Sequence, residues 1–413
     1  MTKRVAILHF ASPPTIGGVE TTIFYQARGL ADLGYSVKVI SGVGGCFDER
    51  VPTAIEPLIY SKHPDVLAVK TELDRGQITP AFDRLTRSLY DTLKAQLADS
   101  DVCIAHNVHT LHKNIALTAA LACLTERQSL HQIAWCHDLA WTNPQYQAEL
   151  HAGYPWELLR TVWKHTTYVT VSEPRQQELA QLLGLETAQI EVMVPGVDPE
   201  RFWQWTLAMT LLEKHLHLLD ADGILLLPAR LTRRKNIGLA LKILAALRNL
   251  SDQDFRLIVT GPPGPHNPGN LGYLGELLDL RHALQVDEYV HFVYAYGESP
   301  DQPLVLDDAS IANLYLLADA LIFPSIQEGF GIPILEAGLA GLPVFCADIP
   351  PFQTSGQNDA YYFDPVDANP DIVAKHILEA IEYDARSRLK KRVRKTYRWE
   401  TIIRERLLPL LEV

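Results

Sequence analysis

Late in the sequence the chain reads Ala320-Leu321-Ile322-Phe323-Pro324-Ser325-Ile326-Gln327-Glu328-Gly329-Phe330-Gly331-Ile332-Pro333-Ile334-Leu335-Glu336, and this stretch decides the fold. The apolar run Ala320 to Phe323 is bounded by Pro324-Ser325 and predicts a short buried strand. Pro333 suits the first turn of a helix, where a missing N–H costs nothing. The order strand, glycine-bearing loop, helix therefore aims free backbone N–H groups beyond the carboxyl end of a sheet. Such a helix start attracts phosphate. Glu336 falls about one turn inside that helix, where it can accept hydrogen bonds from sugar hydroxyls. Two carboxylates flanking an anion cradle fit a ligand with a phosphate centre and hydroxyl-rich ends, the shape of a nucleotide sugar.

The rest of the chain repeats the strand–helix alternation. Val5 to Phe10, Val37 to Ile40, Val102 to Ala105, Gln132 to Cys136 and Tyr168 to Val171 read as strands, with Val19 to Leu33 as the first helix. A second series runs through Ile224 to Leu227, Phe255 to Thr260, Val290 to Val293, Ala320 to Phe323 and Val344 to Cys346. Alternation of this kind implies parallel, doubly wound sheets. The turn-rich Val194-Pro195-Gly196-Val197-Asp198-Pro199 separates the two series, and Trp399 to Leu411 closes the chain as an amphipathic helix. A length of 413 residues suits two domains rather than one core.

Composition narrows the partners. A net charge of -12 argues against nucleic acid and weakens the case for an anionic membrane surface. The five cysteines, at 46, 103, 123, 136 and 346, form no C-x-x-C pair and read as reduced thiols. Met1 to Arg4 leads directly into a strand, without the length or cleavage site of a signal peptide, so a cytoplasmic protein is expected.

Glu328 and Glu336, with Gly329-Phe330-Gly331 after the first, resemble the signature of the family 4 glycosyltransferases, retaining enzymes of the two-domain GT-B architecture. The resemblance covers most of the chain and is strongest over Arg230 to Asn236 and Asp319 to Gly338. It implies two Rossmann-like α/β domains facing across a cleft: residues 1–200 on the acceptor side, 201–395 binding the nucleotide sugar, and 396–413 as a helix crossing back to the first. One departure concerns the linker, where the family's usual Asn between Pro195 and Gly196 is missing.

By the same resemblance Arg230 and Lys235 hold the donor diphosphate, a role their place after a strand end supports. Arg233 and Arg234 read as solvated. Glu328 lies by the transferred sugar, Gly329, Phe330 and Gly331 meet sugar and phosphate, and Glu336 holds the ribose. Gly17 and Gly18, in a loop that lets a ligand approach the backbone, and Gly261 complete the donor-binding set. His137 is implied to contact the transferred sugar, although a histidine satisfied by its neighbours fits the same residues. His106, His109 and His112 recur every third residue, yet no carboxylate completes a zinc pattern, and packing or acceptor lining is the better reading. Asp220/Asp222 and Asp252/Asp254 precede strands and read as turn and capping residues.

The implied activity is transfer of a hexose from a GDP-mannose or UDP-glucose type donor to a hydroxyl of a small-molecule or glycan acceptor, with no cofactor and no metal. Alternatives are a nucleotide-sugar epimerase, a sugar phosphorylase of the same fold, or a non-catalytic nucleotide-sugar sensor. A soluble acceptor is favoured because Val66 to Leu97, though amphipathic, mixes Lys70, Arg75, Arg84, Arg87 and Lys94 with Glu72, Asp74, Asp83 and Asp91. Peripheral membrane docking and the oligomeric state stay open.

Overall fold

A computed structural model describes residues 3–127, 130–263, 269–297 and 302–412. The chain divides into two compact units, one formed by Met1–Val197 with Tyr397–Val413, the other by Asp198–Thr396.

The first unit holds a seven-stranded sheet of β1 (Arg4–His9), β2 (Ser36–Ser41), β3 (Thr53–Ile55), β4 (Val102–His106), β5 (His131–Cys136), β6 (Thr166–Thr170) and β7 (Ile190–Val192). Its order is β3-β2-β1-β4-β5-β6-β7, and every pairing is parallel. Alternation along β1 sorts side chains to two cores. Ala6 and Leu8 face the helices Pro64–Leu73, Pro80–Gln96 and Ile115–Arg127. Val5 and Ile7 face Ile23, Ala27 and Leu30 of the helix Gly18–Asp32, joined by Ile402, Ile403, Leu407 and Leu411. The closing segment is therefore part of the first unit. It runs as a helix over Trp399–Ile402, a π turn over Ile403–Leu407 and a last helical turn over Leu408–Leu411. Gly29 makes room for it, since a Cβ there would stand 2.3 Å from Ile403 Cδ1.

The second unit holds β8 (Gly223–Leu227), β9 (Phe255–Val259), β10 (Val290–Phe292), β11 (Ala320–Phe323), β12 (Val344–Ala347) and β13 (Tyr361–Phe363), all parallel in the order β10-β9-β8-β11-β12-β13. Strands covered on both faces read as unbroken apolar runs, as Gly223–Leu227 and Ala320–Phe323 do. One face packs on the helices Ile237–Leu250 and Pro370–Tyr383, the other on Leu207–Leu216, Asp308–Leu317 and Ile332–Ala340. Arg394 and Asp319, both almost fully buried, pair at 3.0 Å, and the same carboxylate accepts from the Ile224 N–H at 2.9 Å. Removing one partner would strand a buried charge, so this pair fixes the helix Ala385–Thr396 to the sheet.

Two doubly wound α/β units are what the sequence predicts, with three strands unforeseen. β3, β7 and β13 are three-residue edge strands like β10, but whereas β10 is buried throughout and reads as an apolar run, these three are only partly buried and give no such signal. The amphipathic stretch from Val66 resolves into two helices that bury Val66, Val69 and Leu73 of the first and Phe82, Leu85, Leu89 and Leu93 of the second in the core.

Candidate active site

In each sheet the strand order reverses at one place, between β1 and β4 and between β8 and β11. Loops leaving the carboxyl ends of the two strands at such a reversal diverge to opposite faces and leave room for a ligand. In the second unit this brings together two loops, 228–236 after β8 and 324–331 after β11. The Ile326 N–H donates to Arg234 O at 2.9 Å, and Arg234 Nη1 donates to Gln327 O at 3.1 Å. Glycine at 261 is required here, because a Cβ would lie 2.6 Å from Ala229 O and 2.7 Å from Arg230 Cα. Gly261 thus seats the loop that carries Arg230. Asn236 takes a left-handed conformation (φ 51°) ahead of the helix Ile237–Leu250, and its amide donates to Pro365 O.

Glu328 receives two cations. Lys235 Nζ donates to its Oε1, and Arg234 Nη1 to its Oε2 at 3.0 Å. The Lys235 and Glu328 side chains are only 12% and 11% exposed. Burial pushes the Lys235 ammonium below its ordinary pKa, against the pull of Glu328, with Arg234 adding to the depression. Burial pushes the Glu328 carboxyl upward, but Lys235 and Arg234 together hold it below the usual range. Reading Arg234 as a solvated cation is therefore corrected: it shares the carboxylate with Lys235. Arg233 does lie on the surface, paired with Glu276. Arg230 is exposed and makes no ion pair among the described residues.

The segment after β11 is rich in free donors. None of the backbone N–H groups from Glu328 to Ile332 finds an acceptor among the described residues. Gly331 takes φ +99°, and a Cβ there would stand 2.8 Å from the buried ring of Phe352. Gly329 faces open space and Phe330 is exposed. The helix itself supplies fewer donors than its start suggests, since Pro333 has no N–H and the Ile334 N–H is bound to Gly331 O at 3.0 Å. The cradle is accordingly the loop plus Ile332.

Glu336 is half-buried and accepts a hydrogen bond from the Tyr315 hydroxyl at 2.6 Å. Tyr315 is 3% exposed, and burial, then Glu336, pushes its phenol pKa upward. Sequence reasoning missed this partner: Tyr315 sits in an apolar helix and reads as core, with no local sign of its polar tip being used.

The first unit carries the remaining candidates. The helix Gly18–Asp32 starts without a side-chain cap, and the N–H groups of Ile16 to Glu20 find no acceptor among the described residues. Gly17 is extended and a Cβ at Gly18 would meet nothing within 4 Å. His137 follows β5. Its backbone N–H donates to Asn107 Oδ1 at 2.8 Å and its Nε2 lies 3.0 Å from His106 Nδ1. Burial lowers the His137 pKa to about 4. His106, His109 and His112 are all buried and share no partner: His106 meets His137 and Gln26, His109 meets Gln132, and His112 meets Glu149. Asp222 accepts from the Asp254 N–H and pairs with Lys395 and Lys391, which makes it a strut between strand starts.

Two family profiles match this chain, "Glycosyl transferases group 1" over residues 212–396 and "Glycosyltransferase Family 4" over residues 16–201. The mannosylglucosylglycerate synthase of Petrotoga mobilis is 25% identical over 300 residues, 68% of this chain and 67% of that protein. The D-inositol 3-phosphate glycosyltransferase of Gordonia bronchialis is 29% identical over 182 residues, 43% of this chain and 36% of that one. Among solved structures, HepE of Anabaena in complex with UDP and glucose aligns over 100% of both chains at 16% identity, with a TM-score of 0.36.

Proposed function

This chain belongs to glycosyltransferase family 4, and we propose that it moves a hexose from a GDP-mannose or UDP-glucose type donor to a hydroxyl of a soluble acceptor, with retention and without a metal ion. The observation that carries the donor reading is the run of five free N–H groups from Glu328 to Ile332 beside Lys235. Five donors and an ammonium suit a diphosphate far better than a neutral ligand.

Charge dictates the mechanism. Breaking the bond between the anomeric carbon and the diphosphate oxygen leaves negative charge on the diphosphate and positive charge on the sugar. Arg230, Lys235 and the N–H cradle stabilise the first, which is the task a divalent ion would otherwise take. Arg234 is already committed to Glu328, so it acts by holding that carboxylate in place. The acceptor hydroxyl attacks from the face the leaving group vacates and passes its proton to the departing phosphate oxygen, so configuration is retained. Glu336, held by Tyr315, is placed to accept from the ribose hydroxyls.

A soluble acceptor fits the exposed face of the helix Pro80–Gln96. It presents Asp83, Arg84, Arg87, Asp91 and Lys94, a mixed-charge surface without bulky apolar residues. The relative from Petrotoga mobilis, whose name describes a mannosyl group joined to glucosylglycerate, supports a small hydroxy-acid glycoside as the acceptor class. The test is to incubate the protein with a panel of labelled nucleotide sugars, reading ligand-dependent melting and then transfer. Stabilisation by none of them would overturn the reading; turnover of a donor with no acceptor present would favour an epimerase.

A further inference from the structure

The first unit contains a polar chain that the proposed reaction does not account for. Gln26 on the helix Gly18–Asp32, His106 at the end of β4 and His137 after β5 are joined in sequence. Gln26 Oε1 lies 3.0 Å from His106 Nε2, and His106 Nδ1 lies 3.0 Å from His137 Nε2. Gln26 and His106 are fully buried, and the His106 ring is stacked on Trp135. Next to them His9 Nδ1 lies 2.8 Å from the backbone carbonyl of His106.

Burial keeps these rings neutral at neutral pH. It lowers His9 and His137 to about 4 and His106 well below the ordinary histidine value, and neighbouring rings add to the depression at His9 and His106. A neutral imidazole carries one N–H and one lone pair, so each hydrogen bond in the chain dictates the next. With the Gln26 amide oriented as it is, oxygen towards the ring and its buried Nε2 without a partner among the described residues, the carbonyl oxygen accepts and His106 Nε2 donates to it. Its Nδ1 is then a lone pair and accepts from His137 Nε2–H. That leaves His137 Nδ1, which has no hydrogen-bond partner among the described residues, as a lone pair.

We propose that Gln26 and His106 are positioning residues that hold His137 in its Nε2–H tautomer, presenting Nδ1 at the carboxyl edge of the sheet as an acceptor for a ligand hydroxyl. The opposite tautomer would present a donor and suit a phosphate or carboxylate oxygen instead. The chain therefore selects between two ligand chemistries at one ring. The consequence for activity rests on the glycosyl-transfer reading; the tautomer does not.

The test uses the full chain with ring-15N histidine and long-range proton–nitrogen spectra at pH 7. His137 should show a pyrrole-type Nε2 and a pyridine-type Nδ1. His9, whose Nδ1 must donate to a carbonyl, should show the reverse pattern and serve as an internal control. His106→Leu and Gln26→Leu should each convert His137 to a mixture of tautomers. His106→Asn, whose Oδ1 takes the place of Nδ1 as acceptor, should restore the single form. Once a donor is identified, His106→Leu should lower kcat/KM by about 3- to 10-fold, the loss of one neutral hydrogen bond, with recovery in His106→Asn. A pyrrole-type Nδ1 on His137, or a tautomer indifferent to both leucine variants, would overturn the proposal. Correct tautomers in a protein that binds no nucleotide sugar would sustain it and overturn the glycosyl-transfer reading instead.

Discussion

Replacing Lys235 with alanine separates the architecture of the site from its chemistry. Lys235 and Arg234 both reach Glu328, so the variant leaves that carboxylate with Arg234 at 3.0 Å. Stripping the sole partner from a buried charge costs 3–5 kcal/mol as a rule. With a second cation retained and Arg234 half-exposed, the loss of stability should be nearer about 1–2 kcal/mol, and the protein should stay folded. Turnover should suffer far more. On the proposed reading the ammonium, which has donors to spare beyond its bond to Glu328, meets charge that develops only as the diphosphate leaves, and removing such a donor costs roughly 100- to 1000-fold in kcat. Thermal unfolding and initial rates on one preparation, with whichever donor the panel identifies, give both numbers. A near wild-type rate in a stably folded Lys235→Ala protein would mean that the diphosphate lies elsewhere.

Other expectations are narrower. Glu336→Ala should raise the donor Michaelis constant more than it lowers turnover, by roughly 10- to 100-fold for a charge-assisted bond, because the ribose does not change charge in the reaction. Tyr315→Phe should do the same more weakly, roughly 2- to 10-fold; an effect on kcat alone in either variant would reassign Glu336 to the reacting centre. Activity should survive EDTA, and loss restored by magnesium or manganese would contradict a cationic site built from Arg230 and Lys235. Acid should destabilise the fold early. His9, His109 and His137 are held neutral with pKa values of about 4, against 6.5 when unfolded, so unfolding takes up protons. Their contribution is complete above about pH 6.5 and falls by up to roughly 1.4 kcal/mol per histidine per pH unit towards pH 4. A melting temperature flat across that window would show that these rings titrate normally.

The fold was legible because parallel strands buried on both faces leave unbroken apolar runs such as Leu225 to Leu227, and the turns between them carry glycine and proline. The loop after β11 was legible for a related reason: a glycine with φ +99° packed against Phe352 leaves its mark as a Gly-x-Gly loop before a proline-started helix. What stayed hidden depends on contacts between distant segments. Arg234 looks like its solvated neighbour Arg233, and only the pairing of two loops, 93 to 94 residues apart, sends it to Glu328. Tyr315 and Gln26 sit inside helices whose spacing announces a core, and their polar ends gain meaning only from Glu336 and His106. His106 itself belongs to an every-third-residue pattern that suggests a shared ligand, whereas the backbone turn at Asn107, with φ 60°, sends the three rings to separate partners.

The central claim is that a nucleoside diphosphate rests on the free N–H groups of residues 328–332. Backbone amide spectra of the full chain, titrated with UDP and with GDP in the presence of EDTA, test it most directly. The account predicts saturable shifts at Glu328, Gly329, Phe330, Gly331 and Ile332 with at least one of the two nucleotides, and their loss in Lys235→Ala at the same concentration. Saturable binding that leaves those five amides unmoved would contradict it.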